Sequence, residues 1–361
     1  MSRELRLPPL ARLPAPDGYT APVVTPSQSA TLEPSPAPAS PARRGYYKEH
    51  IDGLPRRLLD AVPADELRGF HARSGARHFA VVARQVLIGG ACLYGTIRFD
   101  DPWIWVPLAA IQGTVILSFI ILLHEVVHRT LFRKDRPALQ RVLGIIYAAP
   151  SAIAASQFSR WHLDHHDGLG STTEDPKRAH LSPKRNARWY KALYMTAALF
   201  VIYAKASATE AKTYEPGLRR TIALERLANV ILHASFIAAL WYFFSGEAVL
   251  RAYVMPLFVF FPPAFMLNRL GQHYWVDPRD PAKWATRVDG SPLVRLLFLN
   301  SNHHIEHHYF PSVPLYHLPA LNRRLRPFWE KIGHRNRSYP ALIWGWFGRN
   351  GVPHTNWDDL S

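Results

Sequence analysis

Histidines recur in this chain at intervals that suit metal ligation. His124 and His128 form one cluster, His162, His165 and His166 a second, and His304, His307 and His308 a third. Residues three or four apart on a helix share a face, so the imidazoles of each cluster can converge on a common point. Imidazole suits iron, zinc or copper. The one cysteine, Cys92, can supply neither a thiolate site nor an iron–sulfur cluster. A single histidine pair is compatible with an ordinary packed role, whereas three such clusters together point to a binuclear metal site.

Composition places that site at a membrane. The chain has 361 residues, a formal net charge of +16 and 48% hydrophobic residues, gathered into long runs. Residues 79–97 carry one charge, Arg84, and residues 103–123 carry none. Each run is long enough to cross a hydrocarbon core, which takes about 20 residues. Further spans are predicted over residues 227–244, interrupted by Asn229 and His233, and over 252–267, kinked by Pro256, Pro262 and Pro263. The connections 98–102 and 245–247 are short and poor in basic residues, whereas the segments after Leu123 and around Lys177 to Lys191 are rich in them. Basic loops stay cytoplasmic. The chain therefore reads as an all-α integral membrane protein. Its four transmembrane helices form two hairpins, its termini are cytoplasmic, and all three clusters emerge on the cytoplasmic side.

Two shorter apolar runs, 142–156 and 192–204, fit interfacial or re-entrant segments better than crossings. If the second did cross, the third cluster would fall on the wrong side. Residues 1–42 are rich in Pro, Ala, Ser and Thr and read as a disordered tail without a secretory signal. Residues 43–77 read as short surface helices, 78–335 as the membrane domain and 336–361 as a C-terminal cap segment.

The order His124-Glu125-Val126-Val127-His128, His162-Leu163-Asp164-His165-His166 and His304-Ile305-Glu306-His307-His308 resembles the HxxxH, HxxHH, HxxHH signature of the membrane fatty acid desaturase and hydroxylase superfamily. Thr172, Glu174, Asp175 and Pro176 are similar to that family's acidic-proline continuation, and Tyr309 to Pro314 to its HHxFPxxP ending. Asn268 to Tyr274 resembles the stretch that supplies a further histidine, here His273. The resemblance covers roughly residues 75–330 and implies a cytoplasmic cap holding two non-haem irons, with O2 as co-substrate. Carried over by position, the ligands are His124, His128, His162, His165, His166, His273, His304, His307 and His308. His303 also stands four residues from His307 and permits a shifted register, but only His304 gives the HxxHH spacing.

Ligand histidines usually donate their second N–H to a carboxylate or carbonyl. Glu125, Asp164, Asp175 and Glu306 lie beside the clusters for that purpose, and each is equally compatible with an ordinary surface or helix-end charge. Asn302 is a candidate to hold a water near the metal or to form a turn, and His303 a candidate neighbour of the ligands. His233, mid-span, reads as a helix-packing residue.

The resemblance implies an O2-dependent desaturase acting on a fatty acyl chain of an acyl lipid, acyl thioester or sphingolipid. The alternatives are a hydroxylase or ketolase of the same superfamily, acting on a fatty chain, an alkane or a carotenoid, and a non-redox zinc-binding membrane hydrolase or receptor. The partners expected are a lipid substrate from the bilayer and a separate electron donor of ferredoxin or cytochrome b5 type with its reductase, since the family's His-Pro-Gly-Gly haem motif does not occur. No nucleic acid is implied.

Overall fold

The computed structural model describes residues 45–352 apart from 172 and 278; the segment 1–42, read above as a tail, lies outside the described residues. Among those residues the secondary structure is helical, without strands. Four helices are long and apolar enough to cross a membrane: Gly75–Arg98, Pro102–Val127, Pro216–Phe243 and Gly246–His273.

Local chemistry sets their boundaries. Ser74 caps the first span by accepting the Arg77 N–H. Asp101 caps the second by accepting the Trp103 N–H, and Pro102 occupies its first turn, where a missing N–H costs nothing. Three residues join these two spans. Gly89 packs against Val115 and Gly95 against Leu108, so the helices lie alongside each other in opposite directions. Gly113 faces the backbone of Phe260 and Phe261 so closely that a Cβ would stand 2.7 Å from a Phe260 atom. The second span is thus wedged between the first and the fourth. Half of its apolar window is buried in protein, against 11% for the third span, whose apolar surface is free to face lipid.

The fourth span extends beyond the apolar run that signals it. A π-helical stretch, Leu250–Phe260, contains Pro256, and the helix then continues through Asn268 to His273. The wider turn accommodates the proline, and Phe261 N–H reaches the Pro256 carbonyl. The shorter run 142–156 belongs to a bent pair, Pro137–Ser151 and Ala155–Gly168, crossing at 96°. The bend falls at Ala152, in the left-handed conformation with φ 57°. The other, 192–204, is split between helices Arg188–Leu193 and Ala198–Ala211.

Short helices Tyr46–His50, Leu54–Ala61 and Ala64–Phe70 precede the spans. Leu54, Leu58, Val62 and Leu67 join one core with Leu321, Leu325 and Trp329 of the later helix Leu318–Lys331. That core, which also takes in Leu117 and Leu257 of the spans, ties the first described helices to the last.

Candidate metal centre

The histidines are delivered by four segments that each turn sharply beside them. His124 lies in the last turn of the second span and His128 caps it. His162, His165 and His166 lie on helix Ala155–Gly168, His273 ends the fourth span, and His304, His307 and His308 lie on the short helix His304–Tyr309. Left-handed residues follow or precede every one of these segments: Arg129, Gly170, Trp275, and the successive pair Leu299 and Asn300. Gly170 is required by space as well as φ, since a Cβ there would meet the Trp284 ring at 2.2 Å. Non-glycine residues in this conformation cost stability and persist where the surroundings over-determine them.

The folded chain sorts the histidines into two groups. His124, His128, His162, His166 and His307 form one; His165, His273, His304 and His308 form the other. The sorting follows helix geometry. The i,i+4 pairs 124/128, 162/166 and 304/308 stay together, while the i+3 residues His165 and His307 swing to the opposite group. In the first group, Nε2 atoms stand 3.0 Å apart for His124 and His307, 2.7 Å for His128 and His162, and 3.0 Å for both His166 contacts, to His162 and His307. In the second, His273 Nε2 lies 2.9 Å from His165 and His304 and 3.2 Å from His308.

These contacts cannot all be hydrogen bonds. His273 Nδ1 lies 3.1 Å from the Trp284 carbonyl, which can only accept, so the proton sits on Nδ1 and Nε2 keeps its lone pair. His165 Nδ1 lies 2.9 Å from an Asp175 oxygen that also accepts the Lys177 N–H, so its Nε2 carries a lone pair too. The two lone pairs face each other at 2.9 Å. Burial holds His165, His304, His307 and His308 well below the ordinary imidazole pKa, so protonation does not relieve the conflict. A cation does. Imidazole nitrogens about 2.0–2.1 Å from one ion stand about 3 Å apart when adjacent, which is the spacing found. The donor set therefore fits two metal ions.

The surrounding polar residues divide. Asp175 accepts from His165, and its oxygen is held by the backbone N–H groups of Lys177 and Arg178. Glu125 instead accepts from Thr130 and from Leu315 N–H, and its nearest approach to His124 is 3.8 Å. Asp164 pairs with Arg160, Glu306 bridges His303 and Asn322, and Asn302 donates to the Val288 and Asp289 carbonyls. His303 is buried outside both groups. His233 bonds Tyr253 and the Ala149 carbonyl, a helix-packing arrangement. Two contacts were not foreseen. The Trp284 carbonyl on His273 is a backbone group that no residue type signals. Lys177 Nζ lies 2.9 Å from His162 Nδ1, and burial together with Arg269 brings its ammonium down to about 7.

A cavity of about 500 Å³ reaches the histidines. Its walls are largely apolar, from Leu117, Ile120, Leu257, Phe258 and Phe261, and it contacts His124, His162, His304 and His307. Val230, 65% exposed, lies on its rim.

The fatty acid desaturase family profile matches residues 101–340. The chain is 27% identical over 239 residues to the sphingolipid delta(4)-desaturase DES1 of Drosophila melanogaster, covering 64% of this chain and 70% of that protein. It is 24% identical over 273 residues to the acyl-lipid omega-3 desaturase (cytochrome b5), endoplasmic reticulum, of Arabidopsis thaliana, covering 68% and 70%. It is also 24% identical over 258 residues to the human sphingolipid delta(4)-desaturase/C4-monooxygenase DES2, covering 67% and 72%. With four apolar helices, a clustered histidine site and a profile match over most of its length, the chain belongs to the fatty acid desaturase family of membrane oxidoreductases.

Proposed function

We propose that the protein is an O2-dependent lipid desaturase in which the nine clustered histidines hold two irons and the cavity beside them holds a fatty acyl chain. The observation that carries this reading is the pair of lone-pair nitrogens on His165 and His273, which demands a cation, at the end of an apolar cavity of lipid size. When bound, iron supplies the O2 activation that breaking an unactivated C–H bond requires. The protein's own contribution is positional. Neutral imidazoles bring no charge to the site, Asp175 and the Trp284 carbonyl fix two of the tautomers, and the apolar walls exclude water and hold the chain in register.

In this reading the spans form two hairpins entering from the cytoplasmic side, with both termini and the histidine-bearing cap cytoplasmic, and residues 78–335 forming the membrane domain. The basic connections support that orientation. The substrate is an acyl lipid, acyl thioester or sphingolipid. Electrons come from a separate donor, and the cytochrome b5 in the Arabidopsis relative's name supports a donor of that class.

A second reading, hydroxylation, is favoured by one finding: the name of the human relative joins a desaturase with a C4-monooxygenase. Both outcomes begin with loss of one hydrogen and differ in how the cavity places the chain afterwards. The test supplies ¹⁸O₂ and a reducing system to the reconstituted enzyme and follows the lipid by mass spectrometry. A double bond without label is expected. A labelled alcohol as the main product would replace desaturation by hydroxylation, and no oxidised product with iron bound would reject both.

A further inference from the structure

One wall of the cavity is cationic where an apolar lining would suffice. Arg226 lies in the third span, one residue before the apolar run 227–244, on the face that also presents Asn229, Val230 and His233 to the cavity. Its guanidinium is held by neutral groups: one terminal nitrogen donates to Gln157 Oε1 at 2.6 Å and to Ser207 Oγ. Gln157 is fixed in turn, donating to the Ser207 carbonyl at 2.8 Å, and both residues are 2% exposed. The adjacent carboxylate, Glu225, is committed to Ser156 through both its N–H and its hydroxyl. Lys177 and Arg269 line the same cavity, whereas its one lining carboxylate, Glu125, is spent on Thr130 and Leu315.

An ionisable side chain at membrane depth is expensive, and where it is kept it marks a substrate or ion path. Arg226 stands where polar chain gives way to the apolar run of the third span, on the cavity wall. Its guanidinium is pre-oriented by Gln157 and Ser207, with donors left over in a fork that matches a phosphate or carboxylate.

We propose that Arg226, positioned by Gln157 and Ser207, seats an anionic oxygen of the lipid headgroup, so that this enzyme takes lipids bearing a phosphate or carboxylate next to the chain. The proposal rests on the desaturase reading for the identity of the chain as substrate, and adds the class of headgroup.

The test measures binding of stearate, 1-stearoyl-lysophosphatidate and octadecanol, which share one chain length, to the purified full chain in detergent. The anionic ligands should bind at least about tenfold more tightly than octadecanol, as charge-assisted hydrogen bonds predict. Whichever of the two is tighter identifies the anion. Arg226→Gln should remove the preference and Arg226→Lys should keep part of it. Gln157→Glu places a carboxylate against Arg226 while giving up the bond that Gln157 donates to the Ser207 carbonyl, so it should also abolish the preference, with octadecanol binding retained as the sign that the cavity is intact. Equal affinities for all three ligands, or a Gln157→Glu protein that still prefers anions, would overturn the proposal. His307→Ala should lose metal yet keep the headgroup preference, so failure of the redox reading and failure of the headgroup seat are separately visible.

Discussion

The two histidine groups are held by different means. In the four-member group, His165 and His273 have their far ring nitrogens fixed by a buried carboxylate and a backbone carbonyl, acceptors that leave one tautomer available. In the five-member group, the far nitrogen of His162 meets Lys177, a group that accepts only when neutral. The first arrangement sets ring orientation before any ion arrives, whereas the second gains a fifth imidazole instead of a strong acceptor. Under the proposed reading, His165 and His273 are the preorganised ligands of the four-member group, whereas the far nitrogen of His308 is buried without a partner; with fewer imidazoles, that group also has more room for a further ligand.

The largest effects should come from removing one member of each group. His165→Ala and His307→Ala should each bring turnover below detection and lower the iron content, while His233→Ala, on the cavity wall but bonded to Tyr253 and Ala149 away from both groups, should retain the iron and measurable turnover. Full activity in either cluster variant would break the metal assignment. Next in size is the contrast between the two supports. Asp175→Asn removes the acceptor that fixes His165 and should cost about 10–100-fold in metal affinity or turnover, whereas Lys177→Gln should cost only a few-fold. Equal losses would mean that the groups are not held differently. The third contrast lies within one helix. His304→Ala should eliminate turnover, while His303→Ala, which loses only a contact to Glu306 and cavity wall, should leave measurable activity and bound iron. The opposite result would reverse the register of that helix.

A smaller effect lies away from the histidine groups. Burial, with Arg287 nearby, lowers His334 from 6.5 to about 4. Between those values the unfolded chain binds a proton that the folded chain does not, so the contribution of His334 is intact above 6.5 and is lost as pH falls toward 4. Thermal unfolding followed from neutral pH to pH 4.5 should show a steeper loss in the wild type than in His334→Gln.

All nine clustered histidines were legible because their signal is local: spacing within a helical turn, and one short motif around His273. Their division into five and four was not, because whether His165 joins His162 or His273 depends on how four segments meet in space. The spans were legible as apolar runs, yet the fourth continues to His273 through polar residues that face the site. Composition ends a span where hydrophobicity ends, and a helix continues as long as its backbone is paired. For the same reason Arg226 falls outside the run 227–244 although it is part of the third span. Among four acids beside the clusters, Asp175 was separable from Glu125 only once Leu315 and Thr130 were seen to occupy the latter.

Under the proposed reading these histidines bind two irons as two separable groups. The most direct test is elemental analysis with Mössbauer spectroscopy of the purified full chain, beside a His304→Ala/His308→Ala double variant. Two irons per chain are expected in the wild type, with selective loss of the four-member site in the variant. Zinc in place of iron, or a single iron per chain that the double variant leaves untouched, would contradict it.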